Sequence, residues 1–122
     1  MRSYKMSDAE KTGQKALGGL APEAALEYMK KTKDVFILDI APAEKYEETH
    51  FEGALNIPFS ELAGRMDEIP SDRPVVVHCR LGKVSEKNYP RIMEARPDIP
   101  EISYIAGTPL FEQYSEWKSK GE

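Results

Sequence analysis

The run Pro74-Val75-Val76-Val77-His78 constrains the fold more than any other part of the chain. β-Branched side chains favour a pleated strand, and here apolar residues point to both faces of it. A strand buried on both faces belongs inside a sheet covered by helices on either side, the setting of parallel α/β sheets. Val35-Phe36-Ile37-Leu38 repeats the pattern as a continuous apolar run bounded by charge, and Ile102 to Ile105 reads as a last strand. Between these runs lie helical segments. Pro22 stands where a first-turn proline belongs, with Ala25, Leu26 and Met29 on one stripe of a helix to about Lys31. Pro42 opens a short helix to about Glu48, and Gly53 to Pro58 reads as a turn and a brief extended piece. Ser60 is suited to cap a third short helix, Glu61 to Met66. A helix from near Ser85 carries Tyr89, Ile92 and Met93. Pro90 predicts a kink or a broken first turn in it, because an interior proline costs about 3 kcal/mol. Thr108 to Lys118 reads as a closing amphipathic helix with Leu110, Phe111, Tyr114 and Trp117. Strands alternating with helices predict an α/β fold of three layers, a central parallel sheet flanked by helices on both faces.

With 122 residues the chain makes one ordinary domain, which buries roughly two-thirds of the surface its unfolded form exposes. Met1 to Leu17 is polar, holds no strong apolar period and reads as a loosely attached, flexible extension; the domain itself is assigned to residues 18–122. The balance of 40% hydrophobic and 31% charged residues is that of a soluble globular protein. The net charge of −4 argues against nucleic acid, whose phosphates call for a clustered basic surface. No stretch approaches the roughly 20 apolar residues of a membrane span, and the polar N-terminus lacks the apolar core of a secretory signal. The single cysteine rules out an internal disulfide. Together these features point to a reducing cytoplasm.

That cysteine, Cys79, directly follows the valine strand, and ligands of parallel sheets gather beyond the carboxyl ends of the strands. Arg80, Leu81, Gly82, Lys83, Val84 and Ser85 lead from it into a helix start. Successive backbone N–H groups in such a loop converge into an anion nest, reinforced by the helix N-terminus. Those donors and neighbouring cations lower a thiol pKa. The same cradle suits a persulfide anion or an oxyanion. Gly82 tolerates positive φ, and Arg80 and Lys83 are placed to steer an anionic donor.

Three segments carry a family resemblance. LDIAPAEKYEETHFEGALNIP, from Leu38 to Pro58, resembles the rhodanese homology domain in its Asp after a strand and its Gly-Ala-x-Asn-Ile-Pro ending. VVVHCRLGKVS, from Val75 to Ser85, is similar to that family's active-site strand and loop, and YIAGTPLF, from Tyr104 to Phe111, to its closing segment. The resemblance implies a central parallel sheet wrapped by helices and a sulfurtransferase needing neither cofactor nor metal. It makes Cys79 the nucleophile that accepts a sulfane sulfur from a small anionic donor such as thiosulfate, or from a persulfide. The outer sulfur then passes to cyanide or to a thiol, a thioredoxin-like protein among the acceptors. Residues 80–84 would form the loop, chiefly through backbone donors.

The chain also departs from the pattern. Ile40-Ala41 follows Asp39 where many members have an arginine, so an ion pair beside the site is expected to be missing. Val84 replaces an Arg or Thr, and Phe111 the closing tryptophan. Asp39 is placed either to face the site or to cap a turn. His78 neighbours Cys79, but adjacent strand residues point to opposite faces, so it reads as a packed, hydrogen-bonded histidine. His50 reads as tying down its loop, and Glu47 and Glu48 as solvated. One Cys and two His give no metal-ligand spacing. Two rival functions remain. A cysteine phosphatase or arsenate reductase shares the His-Cys-x-x-Gly start, but needs an arginine six residues after the cysteine, where this chain has Ser85. A regulatory module that keeps the fold and binds a partner would leave Cys79 with an ordinary thiol pKa.

Overall fold

The computed structural model describes residues 13–121. Its strands are β1 (Lys15–Leu20), β2 (Phe36–Asp39), β3 (Leu55–Asn56), β4 (Val75–His78) and β5 (Glu101–Ile105). They form one parallel sheet in the order β1-β5-β4-β2-β3. The valine run is the central strand β4, every residue of it buried. It pairs with β2 from Phe36↔Val75 to Asp39↔His78 and with β5 on its other side. The helices are α1 (Pro22–Lys31), α2 (Ala43–Glu48), α3 (Lys83–Ala95) and α4 (Phe111–Ser119). On one face of the sheet Leu38, Val75, Val77 and Ile102 pack with Tyr89 and Ile92 of α3. On the other, Ile37, Val76 and Ile105 meet Ala25, Leu26 and Met29 of α1 and Tyr114 of α4. This is the three-layer α/β/α arrangement that the alternating pattern predicts. No helix among the described residues is long and apolar enough to cross a membrane.

Four local features differ from the sequence reading. Strand β1 begins inside the stretch read as a loose extension: Lys15 pairs with Glu101 and Ala16 with Ile102, with a bulge before Gly18. Gln14 is buried, and its Nε2 donates to the carbonyls of Arg96 and Ile99 at 3.0 Å each. Main-chain bonds and one amide make this attachment while the Lys15, Ala16 and Leu17 side chains stay exposed, so no apolar period announces it. The rest of the predicted extension, residues 1–12, lies outside the described residues. Ser60 caps nothing. The segment forms two 3-10 turns, Phe59–Gly64 and Met66–Glu68, the first entered from Pro58 without a side-chain cap.

Helix α3 starts at Lys83 rather than near Ser85 and runs unbroken through Pro90. Pro90 and Glu86, whose carbonyl loses its partner, are both exposed residues, so the lost bond falls on the solvent side of the helix, where it costs less than in a buried interior. Helix α4 starts at Phe111, three residues later than predicted. Pro109 is the reason, since it biases Thr108 away from helical backbone.

Candidate active site

From β2 the chain passes outward to β3, and from β4 it passes the other way to β5. The connections diverge at the carboxyl ends of these two central strands, which is where parallel sheets leave a crevice. Asp39 ends β2 and Cys79 follows β4, so the two stand side by side there. The loop after Cys79 turns at Gly82, which has φ 91° and caps α3. A Cβ at Gly82 would run into the backbone nitrogen of Gly107, so this position accepts only glycine.

The turn folds the start of α3 over the sulfur. Cys79 Sγ accepts from the N–H groups of Gly82 at 3.2 Å and Ser85 at 3.4 Å, and Ser85 Oγ lies 3.5 Å away. Ser85 Oγ also stands 3.1 Å from the Gly82 carbonyl and 3.4 Å from that of Ile105, which fixes its place under the loop. Burial pushes the Cys79 thiol up. The Ser85 hydroxyl and the N–H groups of Ser85, Gly82 and Val84 outweigh it and bring the pKa below the ordinary 9.0. Of the predicted loop residues, Gly82, Val84 and Ser85 therefore act on the sulfur, while the side chains of Leu81 and Lys83 line the space above it.

Arg80 has a different place from the one the sequence suggests. Its Nη1 donates to Asp39 Oδ1 at 3.1 Å and to the Cys79 carbonyl at 3.2 Å. Its Nη2 donates to Asp39 Oδ2 at 3.1 Å, the Lys45 carbonyl at 2.9 Å and the Thr49 carbonyl at 2.8 Å. The guanidinium also lies 5.0 Å over the Phe111 ring. It is a latch rather than a free steering charge. The ion pair expected to be missing is thus present in another form: Asp39, fully buried, takes Arg80 as its partner and accepts from the Ala41 N–H at 3.0 Å. Asn56 completes the corner by donating to the carbonyls of Asp39 and Ala41 at 2.9 Å each.

His78 is fully buried on the opposite face, with Phe51 at 4.9 Å and Phe111 at 5.8 Å between ring centroids. Burial lowers its pKa to about 4, so it is neutral near pH 7. Its Nδ1–H donates to the Cys79 carbonyl at 3.0 Å. His50 stacks on Tyr46 at 3.8 Å, its Nδ1 2.7 Å from the Tyr46 carbonyl, and so pins its loop. Glu47 and Glu48 lie at the surface and converge on no common site, Glu48 standing 3.8 Å from Lys45.

Above the sulfur opens a cavity of about 210 Å³, walled by Ala41, Pro42, Phe59, Leu81 and Val84, with Lys45, Arg80 and Lys83 at its margin. Pro42 and Phe59 escaped the sequence reading. Phe59 stands there because its N–H bonds to the Ile40 carbonyl at 3.0 Å, beside the end of β2. The aromatic directly after Pro58 is the one local sign of it in the sequence. Chemically, the arrangement holds an anionic sulfur, or one sulfur more, against converging N–H donors. It offers a phosphoryl group no clamp at position 85, where a hydroxyl stands in place of a guanidinium.

A buried thiol at the end of a central parallel strand, ringed by N–H groups from the following turn, defines a class of cysteine-centred α/β domains. The family model described as Rhodanese-like domain matches residues 21–119, and the chain belongs to that family. It is 45% identical over 47 residues to the HTH-type transcriptional regulator Rv0324 of Mycobacterium tuberculosis, covering 38% of this chain and 21% of that protein. With a protein named sulfurtransferase from Allochromatium vinosum it shares 31% identity over 85 residues, 63% of this chain and 79% of the other. The crystal structure of a rhodanese-like domain protein from Staphylococcus aureus superposes with a TM-score of 0.59 at 17% identity, covering 77% of this chain and 87% of that one. The chain thus spans a small part of the regulator and most of the other two.

Proposed function

We propose that the protein is a sulfurtransferase that carries a sulfane sulfur on Cys79. The observation that carries this reading is the cradle of Gly82, Val84 and Ser85 donors around a thiol whose pKa is lowered despite burial. The name of the Allochromatium vinosum relative supports it. In the first half-reaction the Cys79 thiolate attacks the outer sulfur of a donor such as thiosulfate. A Cys79 S–S bond forms, the donor's S–S bond breaks, and the electron pair leaves on sulfite. The persulfide anion rests against the same N–H groups. In the second half-reaction an acceptor thiolate, small or on a thioredoxin-like protein, attacks the outer sulfur of the protonated persulfide and releases the Cys79 thiolate. Each step exchanges one S–S bond for another. A partner-binding module with an inert cysteine calls for an ordinary thiol, and the lowered Cys79 pKa speaks against it.

Intact mass spectrometry tests the cycle. Incubation with thiosulfate, or with a low-molecular-weight persulfide, is expected to add one sulfur atom that a thiol then removes, and Cys79→Ser to take up none. Uptake by Cys79→Ser equal to that of the unaltered chain would sink the proposal.

A further inference from the structure

The cavity over Cys79 is small and its walls are carbon. At about 210 Å³ it holds the volume of roughly seven waters at about 30 Å³ each. Pockets for drug-sized ligands begin near 300 Å³. The space therefore admits a pair of sulfurs and a few carbons, and the rest of any donor must lie across the rim. That rim is apolar. Leu81 is 73% exposed and Phe59 46%, and among the described residues the one other large apolar side chain comparably exposed is Leu17, on the edge strand. Two exposed apolar side chains flanking a reactive thiol mark a surface that is covered in use.

The charges at this pocket are few and partly committed. Arg80 is held by Asp39, and Lys45 stands 3.8 Å from Glu48. Lys83 is left at the margin to meet a negative charge. Thiosulfate would press three anionic oxygens towards the side chains of Pro42, Phe59 and Val84, which return none of the hydrogen bonds that water gives. A persulfide on a carbon stalk makes a smaller demand. Its sulfurs meet the N–H cradle and Lys83, and its carbons meet carbon.

We infer that the pocket is built for organic persulfides, R–S–SH, in preference to thiosulfate, with Phe59 and Leu81 as the specificity-determining residues. The inference rests on the sulfur-transfer reading above and names its donor class. The Cys79 thiolate attacks the terminal sulfur of R–S–SH, and the Cys79 S–S bond forms as the donor's S–S bond breaks. The electron pair leaves on R–S⁻, which takes up the proton of the new persulfide. No external oxidant or reductant enters.

The test compares initial rates of sulfur loading on the full chain by intact mass. The donors, at equal concentration, are cysteine persulfide, a short uncharged peptide bearing a cysteine persulfide, and thiosulfate. Loading from at least one organic persulfide is expected to be about tenfold or more faster than from thiosulfate, and the faster of the two distinguishes a small-molecule source from a peptide one. Leu81→Arg, which adds a cation to the lip, and Phe59→Ser are each expected to cut that preference ratio severalfold. Both positions are exposed, and a circular dichroism spectrum matching the unaltered chain shows that the fold is kept. Thiosulfate loading as fast as both organic donors, or a ratio unmoved in both variants, overturns the inference and leaves sulfur transfer standing. No loading from any donor overturns both.

Discussion

At the scale of single residues, the reactivity of Cys79 is a contest between burial and hydrogen bonds. The thiol is only 4% exposed, which disfavours its charge, yet the donors prevail. Ser85 supplies two of them, a hydroxyl and a backbone N–H, and the substitution Ser85→Ala separates the two. It keeps the N–H and removes the hydroxyl, so the midpoint of a pH profile of iodoacetamide alkylation should move up. Hydrogen bonds to charged groups are worth about 1.5–3 kcal/mol, so the alkylation rate at pH 7 should fall by about tenfold to a hundredfold. A midpoint unchanged in Ser85→Ala would assign the low pKa to the backbone alone. The cysteine, the glycine turn and the loop were legible because each is a chemical necessity at one position. The Asp39–Arg80 pairing was not, because its partners lie 41 positions apart and meet only when β2 and β4 align. Phe59 was hidden for a related reason: whether an aromatic after a proline ends buried or at a rim is decided by the packing around it.

At the scale of elements, strands and helices that bury a continuous apolar face could be read directly, and those held by main-chain bonds could not. Val75 to Val77 and the stripe of α1 belong to the first group. Strand β1 belongs to the second, since glycines and exposed side chains supply most of its length. Pro90 shows the limit of a local rule. The rule prices a lost hydrogen bond in a helix interior, but Pro90 and Glu86, whose carbonyl it orphans, are both exposed residues. Replacing it by alanine returns a donor to that carbonyl while giving back some freedom to the unfolded chain. Pro90→Ala should therefore raise stability by about 1–2 kcal/mol, less than the roughly 3 kcal/mol of a fully buried case. A urea midpoint equal to or below that of the unaltered chain would refute this account.

At the scale of the whole molecule, one buried ring links the fold to pH. His78 titrates near 6.5 when unfolded and at about 4 in the folded state, chiefly because of burial. Between those values the unfolded chain binds more protons, so stability should be level above about pH 6.5, decline as pH falls, and level off in this term near pH 4. The interval corresponds to roughly 3 kcal/mol at 1.36 kcal/mol per pH unit. Denaturant titrations across this range should show the decline, and His78→Phe should flatten it. A decline of the same size in His78→Phe would place its origin elsewhere. The Arg80 latch has its own consequence at this scale. Four hydrogen bonds fasten the Cys79 loop to Asp39 of β2, Lys45 of α2 and Thr49 at its end, the elements that form the opposite wall of the pocket. The two sides of the cleft therefore behave as one stiff body. A second sulfur, about 2 Å further out along the S–S bond, has to project into open space rather than displace the loop. On the sulfur-transfer reading proposed above, a cleft braced in this way has no jaws to close over its donor.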